Sequence, residues 1–371
     1  MSVRAGILLL MLLLLLPASA LAQRPPVTLP PGGITTVSLQ HGFDRSAPEP
    51  LQLWAPRTVL GYDEVARGFG QLHVTCTEAP AHGRCPQADT GQGPVGPATL
   101  RMDFREQRSG QRITLGLTGS LERIEWERTC SDDYWDKAVF PLWTSANRDC
   151  HIAPAGTAAT LRLDSAEIVQ LVAGRWHGEL HLDLRHAGGA LVGRQVFLLE
   201  IVVTDHARAT LHLPAFGASS GRVQLPLEYR PHPLPGTIGG SATLDLCLYD
   251  GTGAHSPRLL LGAHDTRPAV SEHFSIWHQH GGSTASDRID YQLRLRHESG
   301  ELALDNRAEV ALDGMDSAAL RAVTLPGLPY PVYCVPMVMT LHVPRIPASS
   351  KRHGRYQGSL VLRMRLPTRR P

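Results

Sequence analysis

The feature that most constrains the fold is an alternation of apolar and polar residues with a period of two. In residues 360–366, leucine or methionine occupies every second position, and residues 179–184 and 243–248 repeat the pattern. Successive side chains of a β-strand point to opposite faces, so each segment would bury one face and expose the other. Glycine pairs and Asp-Gly pairs separate such segments, as is typical of turns. The pattern predicts an all-β protein built from two β-sandwich domains in tandem.

Some segments depart from strict alternation. Residues 195–203 are almost all apolar and predict a strand buried on both faces. Residues 165–172 are the only helical candidate, and they are short. Small, flexible residues at 214–221 predict a linker. For 371 residues, about two domains are expected, and we predict an N-terminal domain at 23–217 and a C-terminal domain at 218–371.

Charge and hydropathy exclude two broad classes of protein. The 36 basic and 34 acidic side chains leave a net charge of +2, which is no electrostatic footprint for nucleic acid. Hydrophobic residues make up 42% and charged residues 19% of the chain, a composition too apolar for a disordered protein. We therefore expect a folded protein with no nucleic-acid partner.

The first 22 residues predict a secretory signal peptide. Arg4 precedes a leucine-rich run at 6–16, and Pro17 ends that run. Residues 20–22 then read Ala-Leu-Ala, the small-x-small pattern of a cleavage site. No later stretch approaches the 18 or so apolar residues of a membrane span. The chain is therefore expected to be exported.

Export permits disulfides, and all six cysteines follow the predicted signal peptide. The sequence contains no C-x2-C pair of the kind that binds zinc, so structural disulfides are predicted. Sequence alone does not fix the connectivity. The spacings suggest Cys76 with Cys85, Cys130 with Cys150, and Cys247 with Cys334.

Two patterns formally resemble catalytic motifs. Residues 217–221 match G-x-S-x-G, but a nucleophile elbow requires a helix after the serine, and an alternating segment follows here. Asp132 and Asp133 form a carboxylate pair that would suit the acid and base of a glycosidase, or equally a solvated turn. We expect a protein that is not an enzyme.

Histidines offer a possible metal site, and His273, His278 and His280 form their densest group. No carboxylate or cysteine lies at ligand spacing in the local sequence, so we interpret these histidines as surface residues. No metal site and no cofactor are predicted.

Several short motifs occur along the chain. They are residues 243–251 (TLDLCLYDG), 321–326 (RAVTLP), 332–336 (VYCVP), 356–360 (YQGSL), the linker residues 213–216 with 222–223, and, in the first half, Cys76, Cys85-Pro86, Cys130, Cys150 and Trp176. Together these motifs resemble, in the family's order, the tip subunits of class 5 fimbriae, the colonisation-factor-type adhesins or CblD-like pilus initiators of the alternate chaperone–usher pathway. The resemblance spans about residues 60–368 and is densest in the second half.

This resemblance implies that the C-terminal domain is an immunoglobulin-like pilin domain lacking its last strand. A periplasmic pilus chaperone would first supply a strand, and the major pilin subunit would then replace it during assembly at the outer-membrane usher. The chain ends at Pro371, which leaves no room for a further strand after Leu366. The implied groove lies between the first and last strands of the domain and is lined by Val223, Leu225, Leu227, Leu360, Leu362, Met364 and Leu366.

The same resemblance implies a position at the fimbrial tip. Ordinary pilins donate an N-terminal extension, whereas here a whole domain occupies that side. Residues 23–50 are rich in proline and glycine and show little of the alternation that a donor strand requires. A subunit that accepts a strand and donates none would initiate the fibre.

Adhesion to a host glycan or glycoprotein is the function that the resemblance implies for the N-terminal domain. Arg185 and His186 retain part of the family's basic cluster, and Arg67 lies in a plausible neighbouring loop. Arginine suits the carboxylate of an acidic sugar. Two alternatives stay open: a secreted β-sandwich carbohydrate-active enzyme or carbohydrate-binding protein, and a structural pilus initiator without receptor binding.

Overall fold

The computed structural model describes residues 24–366 except 66–67, 129–132, 149–151, 268–271, 298–299 and 329. The predicted signal peptide, Arg67, Asp132, Cys130 and Cys150 therefore lie outside the described residues. The described chain is nearly all β, which confirms the predicted fold class. Its one α-helix, α1 (Ser165–Ile168), falls within the segment expected to be helical, and short 3-10 helices lie at Phe69–Gln71, Pro80–His82, His206–Arg208, Pro214–Phe216, Ala285–Asp287 and Ala348–Ser350.

The first domain is a nine-stranded sheet folded on itself. Its main order is β1-β9-β8-β4-β5-β7-β2, with β3 paired to β8 and β6 paired to β5. The strands are β1 (Gly33–Asp44), β2 (Leu51–Tyr62), β3 (His73–Cys76), β4 (Ala98–Glu106), β5 (Arg112–Ile124), β6 (Trp135–Phe140), β7 (Gly156–Leu163), β8 (Gly174–Arg185) and β9 (Leu191–Thr204).

One expectation for this domain was wrong, and one of its strands was not predicted. β9 is not buried on both faces: Phe197 and Leu199 are buried, but Leu198 between them is 40% exposed, because only one face of the strand meets the core. The segment at 23–50 does contain a strand, since β1 runs parallel to β9 along its whole length. Within β1, the half-buried Thr35 and His41 occupy inward positions, which interrupts the apolar series. The domain therefore uses this segment in its own sheet.

The second domain contains two sheets. One has the order β10-β12-β19-β15-β14-β20, with β11, β16 and β18 paired to β12, β15 and β19, and the other has the order β17-β13-β21. The strands are β10 (Thr210–His212), β11 (Glu228–Arg230), β12 (Thr237–Tyr249), β13 (Arg258–Asp265), β14 (Phe274–His278), β15 (Arg288–His297), β16 (Gly300–Leu304), β17 (Glu309–Asp313), β18 (Arg321–Val323), β19 (Val332–Pro347), β20 (Tyr356–Gln357) and β21 (Leu360–Arg365).

The expected first strand of this domain, residues 222–228, is not formed as predicted. β10 and β11 pair with the two ends of β12, and residues 219–227 between them belong to no strand. Residues 213–227 connect β10 to β11 alongside residues 240–246 of β12. Because this connection is longer than the stretch of β12 that it faces, it must bow away from the edge of β12. Pro226 approaches it closely: a Cβ on Gly240 would lie 1.9 Å from the Pro226 carbonyl oxygen.

The two domains share buried contacts. One continuous apolar cluster joins Trp176 and Leu171 of the first domain to Tyr249 and Val332 of the second. Across the same junction, His255 Nε2 lies 2.9 Å from Glu106 Oε1, and Glu106 is only 2% exposed. The domains are therefore in direct packed contact.

The 247–251 motif (Cys-Leu-Tyr-Asp-Gly) builds this junction. Asp250 is buried and accepts hydrogen bonds from the backbone N–H groups of Thr252 and Ala254, which closes the loop after β12. Gly251 has a φ of +69°, and a Cβ there would lie 2.4 Å from the Asp205 carbonyl oxygen. Glycine is required because both the conformation and the close approach exclude a side chain.

Two disulfides are present among the described residues. Cys76 is bonded to Cys85, and Cys247 is bonded to Cys334, which links β12 to the start of β19. These are two of the pairs that the spacings suggested, and no described cysteine is free. None of the described helices has the length and apolarity needed to cross a membrane.

Candidate functional sites

One edge of the second domain is open for strand pairing. β21 pairs antiparallel with β13 from Leu260 opposite Arg365 to Asp265 opposite Leu360. In the part of the chain that the structure describes, no strand pairs with the other edge of β21. β10 is an edge strand of the larger sheet of this domain, and it contacts β21. The unpaired edge of β21 and the unpaired residues 219–227 thus lie at edges of the two sheets of this domain.

The side chains predicted to line this groove share one environment. All of them are half-buried and pack against the core of the second domain. On β13, by contrast, Leu259 and Leu261 are 2% and 0% exposed. Each of these side chains therefore packs against the core on one side and leaves part of its apolar surface accessible to solvent. The members of this set are Val223, Leu225, Leu227, Leu360, Leu362, Met364 and Leu366.

Both segments keep the alternation that the sequence shows. Residues 222, 224 and 226 are exposed, as are residues 361, 363 and 365, while the apolar residues between them are half-buried. An apolar groove bounded by unpaired backbone is the surface to which an extended peptide adds as a strand. The arrangement can therefore accept a strand from another chain.

Arg185 lies at the end of β8, and its guanidinium is held by the protein itself. Nε donates to Thr75 Oγ1 at 3.1 Å, NH1 donates to the Gly189 carbonyl at 2.9 Å, and NH2 donates to Asp183 Oδ2 at 2.9 Å. Arg194 on β9 donates to the other oxygen of Asp183 at 2.7 Å. The side chain of Arg185 is still 27% exposed, so its orientation is fixed while part of it faces solvent.

His186 follows Arg185 and lies beside a segment distant in sequence. Its ring stacks on Phe69 with centroids 6.3 Å apart and an interplanar angle of 18°. A Cβ on Gly68 would lie 4.0 Å from His186 Nδ1. The structure thus brings the residue that follows Arg67 against His186, although Arg67 itself lies outside the described residues.

Several residues of the catalytic and metal motifs make contacts within the described structure. Ala218 forms an isolated bridge with Leu213, and within the described residues no helix follows Ser219 directly. The carboxylate of Asp133 accepts from the backbone N–H of Tyr134 at 2.7 Å. His278 is 3% exposed, so the expectation that it is a surface residue was wrong. Its Nε2 lies 3.0 Å from the His353 carbonyl, and its Nδ1 accepts from the backbone N–H of His280. A histidine with both ring nitrogens engaged is not free to bind a metal.

A different histidine cluster, on the first domain, was missed by the sequence analysis. One ligand atom from each of His82, Glu179 and His181 lies within 4.8 Å of the others. Glu179 and His181 are two residues apart on β8 and so share a face, a signal that was available in the sequence. His82 comes from the 3-10 helix at Pro80–His82, and only the fold places it there.

This cluster adjoins a cleft of about 760 Å³ on the outer face of the first domain. Strands β1, β4, β8 and β9 form its floor. Its lining includes Gln40, His82, Asp103, Arg105, His177, Glu179, Leu198 and Glu200. The cleft is polar and charged on several sides, with Leu198 as an apolar component.

Comparison with known proteins gives one family. Residues 18–206 match the family model for the first domain of CfaE, a subunit of CFA/I fimbriae, and residues 209–368 match the model for its second domain. The corresponding CFA/I fimbrial protein from Escherichia coli is 22% identical over 341 residues, which cover 90% of this chain and 90% of the relative.

Solved structures show the same fold. The crystal structure of CfaE, the adhesive subunit of CFA/I fimbria of enterotoxigenic Escherichia coli, matches with a TM-score of 0.75 and 20% identity, covering 93% of this chain and 95% of that one. A structure of a chaperone–tip adhesin complex of CFA/I fimbriae biogenesis matches with a TM-score of 0.70 and 19% identity over 94% of this chain and 99% of that one.

Proposed function

The chain belongs to the CfaE family of fimbrial proteins, and from this we propose that it is an adhesive subunit at the tip of a fimbria. Its relative in Escherichia coli is a fimbrial subunit, and the solved protein of the same fold is described as the adhesive subunit of its fimbria. Export to the cell surface follows from this role. The route through the periplasm is supported by the signal-peptide pattern at residues 1–22.

The assembly part of the proposal rests on the unpaired edge of β21 in the second domain. Its last described strand, β21, has one paired edge, and the apolar side chains along the groove are half-buried. A donor strand from another chain would pair with the free edge of β21 and cover residues such as Leu362 and Met364. Hydrogen bonds along the backbone would provide affinity, and alternate side chains of the donor would fill the groove.

Two partners would fill this groove one after the other. We propose that a periplasmic chaperone fills it first and that the major pilin subunit replaces the chaperone at the outer-membrane usher. The match to a chaperone–tip adhesin complex supports the first partner. Because β1 lies within the sheet of its own domain, paired with β9, the segment at 33–44 is already used and is not available as a donor strand. The protein would therefore begin the fibre.

We assign receptor binding to the domain predicted at residues 23–217 and strand acceptance to the domain predicted at residues 218–371, with β10 (Thr210–His212) joining the second through its pairing with β12. Arg185 and His186 are proposed to contact a host glycan or glycoprotein, together with Arg67. Arg185 is oriented by Asp183 and Thr75 and keeps an exposed portion, which suits recognition of a carboxylate on an acidic sugar.

Strand acceptance can be tested by fusing the N-terminal peptide of the major pilin after Pro371 through a flexible linker. We expect the fused protein to be monomeric and to melt at a higher temperature than the unfused protein, because the donor strand covers the apolar groove. The matched control carries the same linker with a donor peptide whose apolar positions are replaced by serine. If the unfused protein is already monomeric and all three proteins melt at the same temperature, the second domain needs no donor strand.

A further inference from the structure

We propose that His82, Glu179 and His181 form a zinc site on the outer face of the first domain. His181 Nε2 lies 2.6 Å from Glu179 Oε1, and the rings of His82 and His181 have centroids 4.1 Å apart. One ligand atom from each of the three side chains lies within 4.8 Å of the others. Only small movements of these side chains would bring all three atoms to a shared ion.

The chemistry of this set favours a divalent transition metal. Two imidazoles and one carboxylate are a common set of three protein ligands in four-coordinate zinc sites, in which the fourth position stays open to water or a ligand. Imidazole nitrogen suits zinc, copper and nickel, whereas calcium and magnesium require mainly oxygen ligands. Zinc is the ion we assign because it accepts tetrahedral geometry and mixed nitrogen and oxygen ligands.

The loop that carries His82 is held in place independently of any ion. The Cys76–Cys85 disulfide closes this loop at the edge of β8. Next to His82, Gly83 has a φ of +121°, and a Cβ there would lie 2.5 Å from Leu180 Cδ1, so the loop rests directly on β8. Arg84 then exchanges two backbone hydrogen bonds with Arg101 of β4, at 2.8 and 3.0 Å. A preformed loop lowers the entropic cost of bringing the third ligand to the ion.

The cluster also has access to solvent. The side chain of Glu179 is 45% exposed and that of His181 is 17% exposed. Both His82 and Glu179 line the cleft described above. The open coordination position would therefore face the cleft, and a bound ion would link the 80–82 helix to β8 and offer a site for an oxygen atom of a molecule in the cleft.

The test is a zinc titration of the purified full chain, with its disulfides formed and metal removed by a chelator. We expect one Zn²⁺ per chain, and a loss of affinity of more than about 100-fold in His82→Gln and in His181→Gln, since even outer-shell substitutions at metal sites cost about 10–100-fold. His177→Gln is the matched control, because His177 lies on the same face of β8 but outside the cluster. This control should bind zinc like the wild type.

Cobalt provides a second measurement that does not depend on affinity. Co²⁺ bound in a four-coordinate site should give strong visible absorption in the wild type and in His177→Gln, and weak absorption in the two cluster variants. Circular dichroism without metal checks that the variants fold. The proposal is overturned if the wild type binds no zinc, or if folded His82→Gln and His181→Gln bind zinc and cobalt as the wild type does.

Discussion

A single arginine shows how far the role of a residue depends on its position. Arg123 is 1% exposed, and its guanidinium donates to the carbonyls of Leu72, Thr144 and Ala146 at 2.7–3.2 Å. Burial lowers the pKa of Arg123 to about 10, so it remains charged at neutral pH. All but two of the 36 basic residues are arginines, and nothing in the local sequence separates this structural one from an exposed one.

The receptor proposal can be tested at this scale with a matched pair. Arg185 and Arg194 both donate to Asp183, but only Arg185 lies at the proposed receptor surface beside His186. We expect Arg185→Ala to weaken binding to receptor-bearing cells about 10-fold or more, the effect of losing a hydrogen bond to a charged group. Arg194→Ala should bind like the wild type.

Two other outcomes would change the interpretation. If both variants bind like the wild type, Arg185 does not contact the receptor, and a structural initiator without this receptor site would be favoured. If both lose binding equally, the cause is the loss of a partner for the buried Asp183.

At the scale of elements, β21 and the segment at 219–227 border the proposed groove. Alternation in the sequence predicted that the apolar side chains of each segment share one face, and in the structure these side chains are half-buried while the residues between them are exposed. It did not predict that residues 222–228 would remain unpaired over most of their length, because pairing depends on the length of the facing stretch of β12. Local pattern therefore sets the orientation of side chains, while neighbouring elements decide whether a strand forms.

Substitutions on the two faces of β21 test the groove in the donor-strand fusion. Leu362 faces the groove and is half-buried, whereas Val361 on the opposite face is 38% exposed. We expect Leu362→Ser to lower the free energy of unfolding of the fusion by about 1–2 kcal/mol, since it removes an apolar contact that the donor strand would complete. Val361→Ser should change it by no more than about 0.5 kcal/mol. Equal effects, measured by urea unfolding, would argue against a groove on this face.

At the scale of the whole molecule, the two domains meet through a buried charge. Burial by itself raises the pKa of Glu106, but hydrogen bonds from His255, from Ser109 and from the backbone of Arg175 lower it to about 2. The carboxylate therefore stabilises the folded state fully above its unfolded pKa of about 4.5. That stabilisation is lost as the pH falls from there through about 2.

This charge predicts the acid stability of the protein. Glu106→Gln should lower the free energy of unfolding at pH 7 by up to about 3 kcal/mol and should flatten its decline between about pH 4.5 and 2. Glu301→Gln is the control, because Glu301 makes an exposed pair with Arg294 at 3.5 Å, and such pairs contribute less than about 1 kcal/mol. Urea midpoints across this pH range provide the measurement. An unchanged pH dependence in Glu106→Gln would exclude Glu106 as its source.

The sequence by itself determined the properties that depend on local pattern. Alternation determined the all-β class and which residues of β21 share one face, and motif order identified the family. The tertiary structure decided what depends on long-range contacts. It placed His82 beside Glu179 and His181, and it brought Gly68 against His186. The reason is physical: strand orientation follows from neighbouring residues, whereas contacts between distant segments follow from packing and sheet register that no local pattern encodes.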